Sequence, residues 1–174
     1  MDDLADSDTR PIPDEIRKEI LNAFIVATCS TAAEMAQSVA EVCERCATLT
    51  PRAVGDITVV LDLRPGRGAM LVLDFPGPTA QALAKRVLAG TGATDDALVR
   101  DCMKEITNII AGQAKAMLQG TPRRFAFSTP RILSGRNVAL EQPAGREYLV
   151  AHFISDAGDF TLQVCAADAE PEAG

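Results

Sequence analysis

Apolar and polar positions recur along this chain with two different periods, and the changes of period mark out its elements. Ile16, Ile20, Phe24 and Ala27, with Leu21 and Ile25 beside them, recur at steps of three and four and predict an amphipathic helix. Pro11 and Pro13 lead into it, Asp14 and Glu15 fall in its first turn where acidic groups complement the helix dipole, and the pattern runs to about Gln37. Residues 38–50 are ambiguous; Val39, Glu41, Cys43 and Arg45 alternate against the rest in a way that leans towards a strand. The period is then two. Residues 54–63 (VGDITVVLDL) alternate and are rich in β-branched side chains, and residues 69–75 (AMLVLDF) return. The turn Arg64-Pro65-Gly66-Arg67-Gly68 makes these two runs a hairpin.

Pro76-Gly77-Pro78 ends that hairpin and places Pro78 at the first position of a helix, PTAQALAKRVLAG, closed by Gly90. Thr94, followed by Asp95 and Asp96, serves as N-cap of a long helix that should reach about Gln119, before Gly120 and Pro122 stop it. Its expected core stripe is Leu98, Cys102, Ile106, Ile109, Ile110 and Met117. Arg123–Ser134 reads as one extended segment interrupted at Thr129-Pro130, where proline marks a strand edge or bend. A last hairpin joins Glu147–Ser155 to Phe160–Cys165 through Asp156-Ala157-Gly158-Asp159. The order α, β, β, β, α, α, β, β, β is dominated by hairpins and predicts an α+β domain, a largely antiparallel sheet packed against long helices.

Composition narrows the classes. At 174 residues the chain fits one domain; its 47% hydrophobic content is that of a globular protein, and 4% aromatics without Trp require an aliphatic core. A net charge of −7 argues against a nucleic-acid partner held through phosphates. No apolar run approaches the roughly 18 residues of a membrane span, and MDDLADSDTR has neither the basic nor the apolar region of an export signal. The expectation is a cytoplasmic protein without membrane contact: residues 1–10 a mobile tail, 11–166 the domain, and the Pro/Glu/Ala/Gly-rich 167–174 a disordered tail.

Five cysteines (29, 43, 46, 102 and 165) in such a chain are expected to be reduced thiols. Cys43-Glu44-Arg45-Cys46 has C-x-x-C spacing, but a structural zinc site needs a second ligand pair and His152 is the only histidine. His152 is expected on a solvent face without a role. No catalytic triad, phosphate loop or dinucleotide motif is present.

What remains is the polar side of the long helix. At about 100° per residue, Glu105, Asn108 and Gly112 lie within roughly 60° of one another, with Asp101 among them. Such a strip is usually just solvated. Here, however, Gly112 costs roughly 1 kcal/mol relative to Ala in a helix interior, and Asn108 is a middling helix former on a face that Lys, Glu or Gln would suit better.

Asp101, Glu105 and Asn108, followed after the twenty-one residues 109–129 by Pro130, match the signature of the CheX/CheC/FliY family of bacterial response-regulator phosphatases, and the string EITNIIAGQAKAML resembles its members. ILNAFIVATCSTAAEM and LVLDFPGPTAQALAKRVL resemble the CheX type in particular, so the likeness covers roughly residues 14–166. The resemblance implies a CheC/CheX-like fold and dephosphorylation of a phosphorylated CheY-like regulator in chemotaxis or two-component signalling. By it, Asn108 would orient the attacking water and Glu105 would pair with the regulator's active-site lysine. Asp101 and Pro130 would be supporting positions, and Gly112 would keep the face low for the partner. The chain itself would bind no cofactor, since Mg²⁺ would belong to the regulator. The CheX type also implies a homodimer formed through the sheet. The alternative within the same fold is a non-catalytic regulator-binding or flagellar-switch module, which a missing Glu or Asn would have signalled.

The first helix carries an echo, Glu19-Ile20-Leu21-Asn22. CheC-type relatives have two active copies of the motif, but here the proline position holds Glu44 and the position of Gly112 holds Val26. The expectation is a remnant of duplication and a single active face.

Overall fold

The computed structural model describes residues 9–64, 69–89, 95–140 and 145–165. Helix α1 (Glu15–Ala36) starts where Asp14 Oδ1 accepts a hydrogen bond from Arg17 N at 2.8 Å, and it ends at Gln37 in the left-handed conformation. The ambiguous stretch after it is strand β1 (Ala40–Thr48). Strands β2 (Ile57–Arg64) and β3 (Met70–Phe75) form the expected hairpin, and its turn at 65–68 lies outside the described residues. Helix α2 (Gly77–Val87) has Pro78 at its second position rather than its first. Pro76 has no capping side chain, so Asp56 takes that part, accepting from Gly77 N at 2.7 Å. A Cβ on Gly77 would lie 3.0 Å from that carboxylate oxygen, which accounts for the glycine. Helix α2 stops at Leu88; Gly90 and Thr94 lie outside the described residues.

Helix α3 (Asp96–Leu118) is capped by Asp95, whose Oδ1 accepts from Leu98 N at 2.8 Å, so the cap is one residue later than expected. The segment broken by Thr129-Pro130 is two short strands, β4 (Ala126–Phe127) and β5 (Arg131–Ser134), which raises the strand count by one. The chain closes with the hairpin of β6 (Tyr148–Ser155) and β7 (Phe160–Cys165). The tails at 1–8 and 166–174 lie outside the described residues.

All pairings are antiparallel, in the order β1-β6-β7-β3-β2-β4, with β5 also on β2. Because β3 holds one edge of β2, β4 and β5 share the other, at Leu63–Arg64 and Ile57–Val60 respectively. Read from either end, the sheet has one plan: a strand that follows a long helix pairs with the first strand of a hairpin, and the two hairpins meet at β3 and β7. The halves α1-β1-β2-β3 and α3-β4/β5-β6-β7 are therefore related by an approximate two-fold, with α2 as the addition. The strand after each helix is broken at the matching place, by Pro130 in one half and by a bulge between Val42 and Glu44 in the other.

One sheet face is apolar across its centre, with rows such as Val59, Leu73, Leu162 and Ala151, and the helices cover it. The opposite face carries buried polar groups that bind the segment leading into β2. Asp74 accepts from Val54 N, Gly55 N and Thr58 Oγ1, and Gln163 exchanges hydrogen bonds with the Arg52 backbone. The core is mostly aliphatic; its buried aromatics are the stacked set Phe75, Phe160 and Phe153, with Phe24 and Tyr148 besides. Not every apolar position of the sequence pattern is inside: Ile16 is 52% exposed and Met117 43%, both near helix ends, and Leu98 and Ile109 are only half-buried.

Candidate functional site

Helix α3 buries the arc of Val99, Cys102, Met103, Ile106, Thr107, Ile110, Ala111, Ala114 and Leu118. Thr107 is tolerated there because its hydroxyl donates to Met103 O at 2.8 Å. This wide arc, rather than the narrower stripe through Ile109 and Met117, fixes the rotation of the helix. It turns Asp101 and Glu105 fully outward and leaves Asn108 and Gly112 half-exposed beside them.

Asp101 pairs with Lys104 at 3.2 Å, a contact of adjacent helix turns. Neither Glu105 nor Asn108 has a hydrogen-bond or ion-pair partner among the described residues. A Cβ built on Gly112 would meet nothing within 4 Å, so no packing within the chain calls for glycine at that point. The combination is a carboxylate and a carboxamide one turn apart, both free to engage something outside, beside a stretch of bare backbone. Pro130 is not on this helix. It sits half-buried in the 128–130 link between β4 and β5, whose start is tied to β2 by Ser128 N donating to Asp62 O at 3.0 Å and Asp62 N donating to Ser128 Oγ at 2.9 Å. The structure thus gathers Asp101, Glu105, Asn108 and Gly112 on one face and puts Pro130 on a separate element.

One residue of this arc was absent from the sequence reading. Lys115 lies roughly 20° from Asn108 around the helix. Its ammonium sits 5.8 Å from the centre of the Phe127 ring on β4, where α3 meets the strand that leads into Pro130. A lysine in the last turns of a helix is unremarkable in sequence, so no signal marked it.

The echo on α1 is differently placed. Glu19 is paired with Arg123 at 3.4 Å, Asn22 is exposed, and Val26 is 47% exposed at the position equivalent to Gly112. Phe125, two residues beyond Arg123, stacks on Phe24 at 5.5 Å and holds the segment after α3 against α1. An open cleft of about 400 Å³, lined by Ile12, Glu19, Asn22 and Arg45 among others, lies on this side of the molecule and not at the α3 face.

None of the five cysteines forms a disulfide, and with Cys43 exposed and Cys46 buried the C-x-x-C pair does not present two thiols to one point. Burial pushes the Cys29, Cys46 and Cys102 thiols above their ordinary range, aided at Cys102 by the Glu105 charge. No group of three or more His, Cys, Asp or Glu side chains among the described residues is placed to hold a metal ion. His152 is half-buried on β6, its Nδ1 3.2 Å from Thr161 Oγ1. No helix among the described residues is long and apolar enough to cross a membrane.

The model of the family described as chemotaxis phosphatase CheX matches residues 57–154, a span that contains Asp101–Gly112 and Pro130 but not α1. Among solved structures, a candidate chemotaxis protein of Desulfovibrio vulgaris Hildenborough is 26% identical, with a TM-score of 0.77 over 84% of this chain and 96% of its own. The chemotaxis protein CheX of Desulfovibrio desulfuricans is 25% identical, with a TM-score of 0.75 over 84% and 98%. A structure of the CheX–CheY–BeF₃–Mg²⁺ complex of Borrelia burgdorferi matches at 21% identity, with a TM-score of 0.67 over 84% and 96%, which shows the fold. No curated protein sequence matches significantly. The fold is the α+β architecture of CheC- and CheX-like proteins, and the chain belongs to the chemotaxis phosphatase CheX family.

Proposed function

We propose that this protein hydrolyses the aspartyl phosphate of a CheY-like response regulator, acting in the cytoplasm with the α3 face as its catalytic edge. The observation that carries the reading is the outward pair Glu105 and Asn108, without partners among the described residues, beside the open backbone of Gly112. An aspartyl phosphate is cleaved by a water attacking in line, and catalysis consists mainly of positioning that water without repelling it. A carboxamide both donates and accepts hydrogen bonds and adds no charge to an anionic centre, so Asn108 orients the water. Glu105, one turn away, pairs with a lysine of the regulator and sets the register of docking. Asp101 engages Lys104, Gly112 lets the partner backbone approach, and Pro130 shapes the neighbouring link. This chain contributes no cofactor, and the Mg²⁺ is the regulator's; the Borrelia burgdorferi structure is of a complex of CheX with CheY, BeF₃ and Mg²⁺.

The reading of a non-catalytic regulator-binding or flagellar-switch module loses support from the intact Glu105–Asn108 pair. We further propose a homodimer through the sheet. The outer edge of β1 is bridged among the described residues only by Arg10 at Ala47, and Val39 and Ile154 are exposed near its start. The deciding experiment is the decay of a phosphorylated regulator from the same host with and without the protein: acceleration is expected, and its absence for every regulator tried would sink the reading.

A further inference from the structure

We propose that Lys115 is a second anchor of the docking face, a specificity-determining cation that reads an acidic side chain on the partner; the inference rests on the phosphatase reading above. Lys115 is ten residues beyond Glu105 on α3, which places the two roughly 15 Å apart along one side of the helix. Between them lie Asn108 and the bare backbone of Gly112, so the face runs from a negative end, through a neutral centre, to a positive end.

One feature distinguishes Lys115 from an ordinary solvated lysine, and a second leaves its charge available. Its ammonium rests over the Phe127 ring at 5.8 Å, within range of a cation–π contact, and its side chain is half-buried, so part of its rotamer freedom is already lost before any partner arrives. It is also without a carboxylate partner among the described residues, as is the exposed Lys85, whereas Lys18, Arg86, Lys104, Arg131 and Arg136 each pair with one. The cation–π contact holds the charge in place without neutralising it. A partner that fits this face carries a lysine and an acidic side chain roughly 15 Å apart, flanking its phosphorylated aspartate. A receiver with the lysine but a basic group at the second point is excluded by like-charge repulsion.

The test measures binding of the purified full chain to its receiver loaded with beryllofluoride, at low and high salt, beside turnover of the phosphorylated receiver. Lys115→Met is expected to weaken binding roughly fivefold, the upper range for a partly exposed ion pair, and to flatten its salt dependence. KM should rise in step while kcat stays within about twofold, because this contact is equally present in the ground and transition states. Lys115→Arg should bind like the wild type and Lys115→Glu worse than Lys115→Met. Unchanged affinity and salt dependence in both Lys115→Met and Lys115→Glu would overturn the proposal. Binding is read apart from turnover, so an Asn108→Ala chain that still accelerates decay would refute the catalytic reading while the docking result stands or falls separately.

Discussion

The two E-x-x-N faces of this molecule occupy related places in its two halves, on helices that pack against each other, and they differ in the partner of the acid and in the residue one turn beyond the asparagine. On α3, Glu105 and Asn108 are without partners among the described residues and Gly112 leaves the backbone bare. On α1, Glu19 is engaged by Arg123 of the same chain, and Val26 stands 47% exposed where the glycine would be. The strand beyond α3 is interrupted by Pro130; the strand beyond α1 runs through a bulge at Val42/Glu44 with Glu44 in that position. A motif of two residues thus does not by itself make an open face. What separates an available face from a closed one is whether the chain's own charges already satisfy the acid, and whether a side chain stands on the approach.

Substitutions can carry each difference from one face to the other. The largest effect is expected at Asn108: Asn108→Ala should lower the stimulated rate of dephosphorylation by about 100-fold or more, the scale of losing a positioned hydrogen-bonding group in a transition state, while the fold persists because the side chain is half-exposed. Next comes Glu105→Lys. By opposing a lysine on the regulator it should reduce kcat/KM by roughly 10- to 100-fold, mainly through KM, in steady-state assays with varied regulator concentration. Gly112→Val transplants the crowding of Val26 and should weaken binding of the beryllofluoride-loaded regulator by roughly tenfold. The gentler Gly112→Ala separates stability from docking. Its Cβ enters open space and improves helix propensity, so thermal unfolding should show a gain of about 0.5–1 kcal/mol. The smallest effect is expected from breaking the Glu19–Arg123 pair: Glu19→Gln removes an exposed ion pair and should change stability by no more than about 0.5 kcal/mol, with dephosphorylation unaltered.

Much of this was legible in the residues. Periods of two and of three to four located the helices and hairpins because the elements are long and the core largely aliphatic, while Asp14, expected in the first turn of its helix, is the N-cap just before it. The misplacements are local. Pro130 splits a segment that read as one strand, because β2 offers its edge to two short partners in turn. Asp95 takes the cap expected of Thr94, since either side chain could accept the first-turn amide. Met117 and Ile16 looked like core by spacing, but both fall near helix ends, away from the centre of the sheet. At the candidate site, four of the five residues share a face because helical periodicity alone brings them together. The pairing of Glu19 with Arg123, and of Lys115 with Phe127, could not be read, because each joins positions whose proximity depends on the packing of the whole domain.

The central claim, that one of two related faces does the chemistry, is tested most directly by the two asparagines side by side. The decay of the phosphorylated regulator would be followed with wild type, Asn108→Ala and Asn22→Ala at equal concentration. The account predicts that Asn108→Ala returns decay to the rate of the regulator alone and that Asn22→Ala matches the wild type. Full acceleration by Asn108→Ala, or its loss in Asn22→Ala with the fold intact, would contradict it.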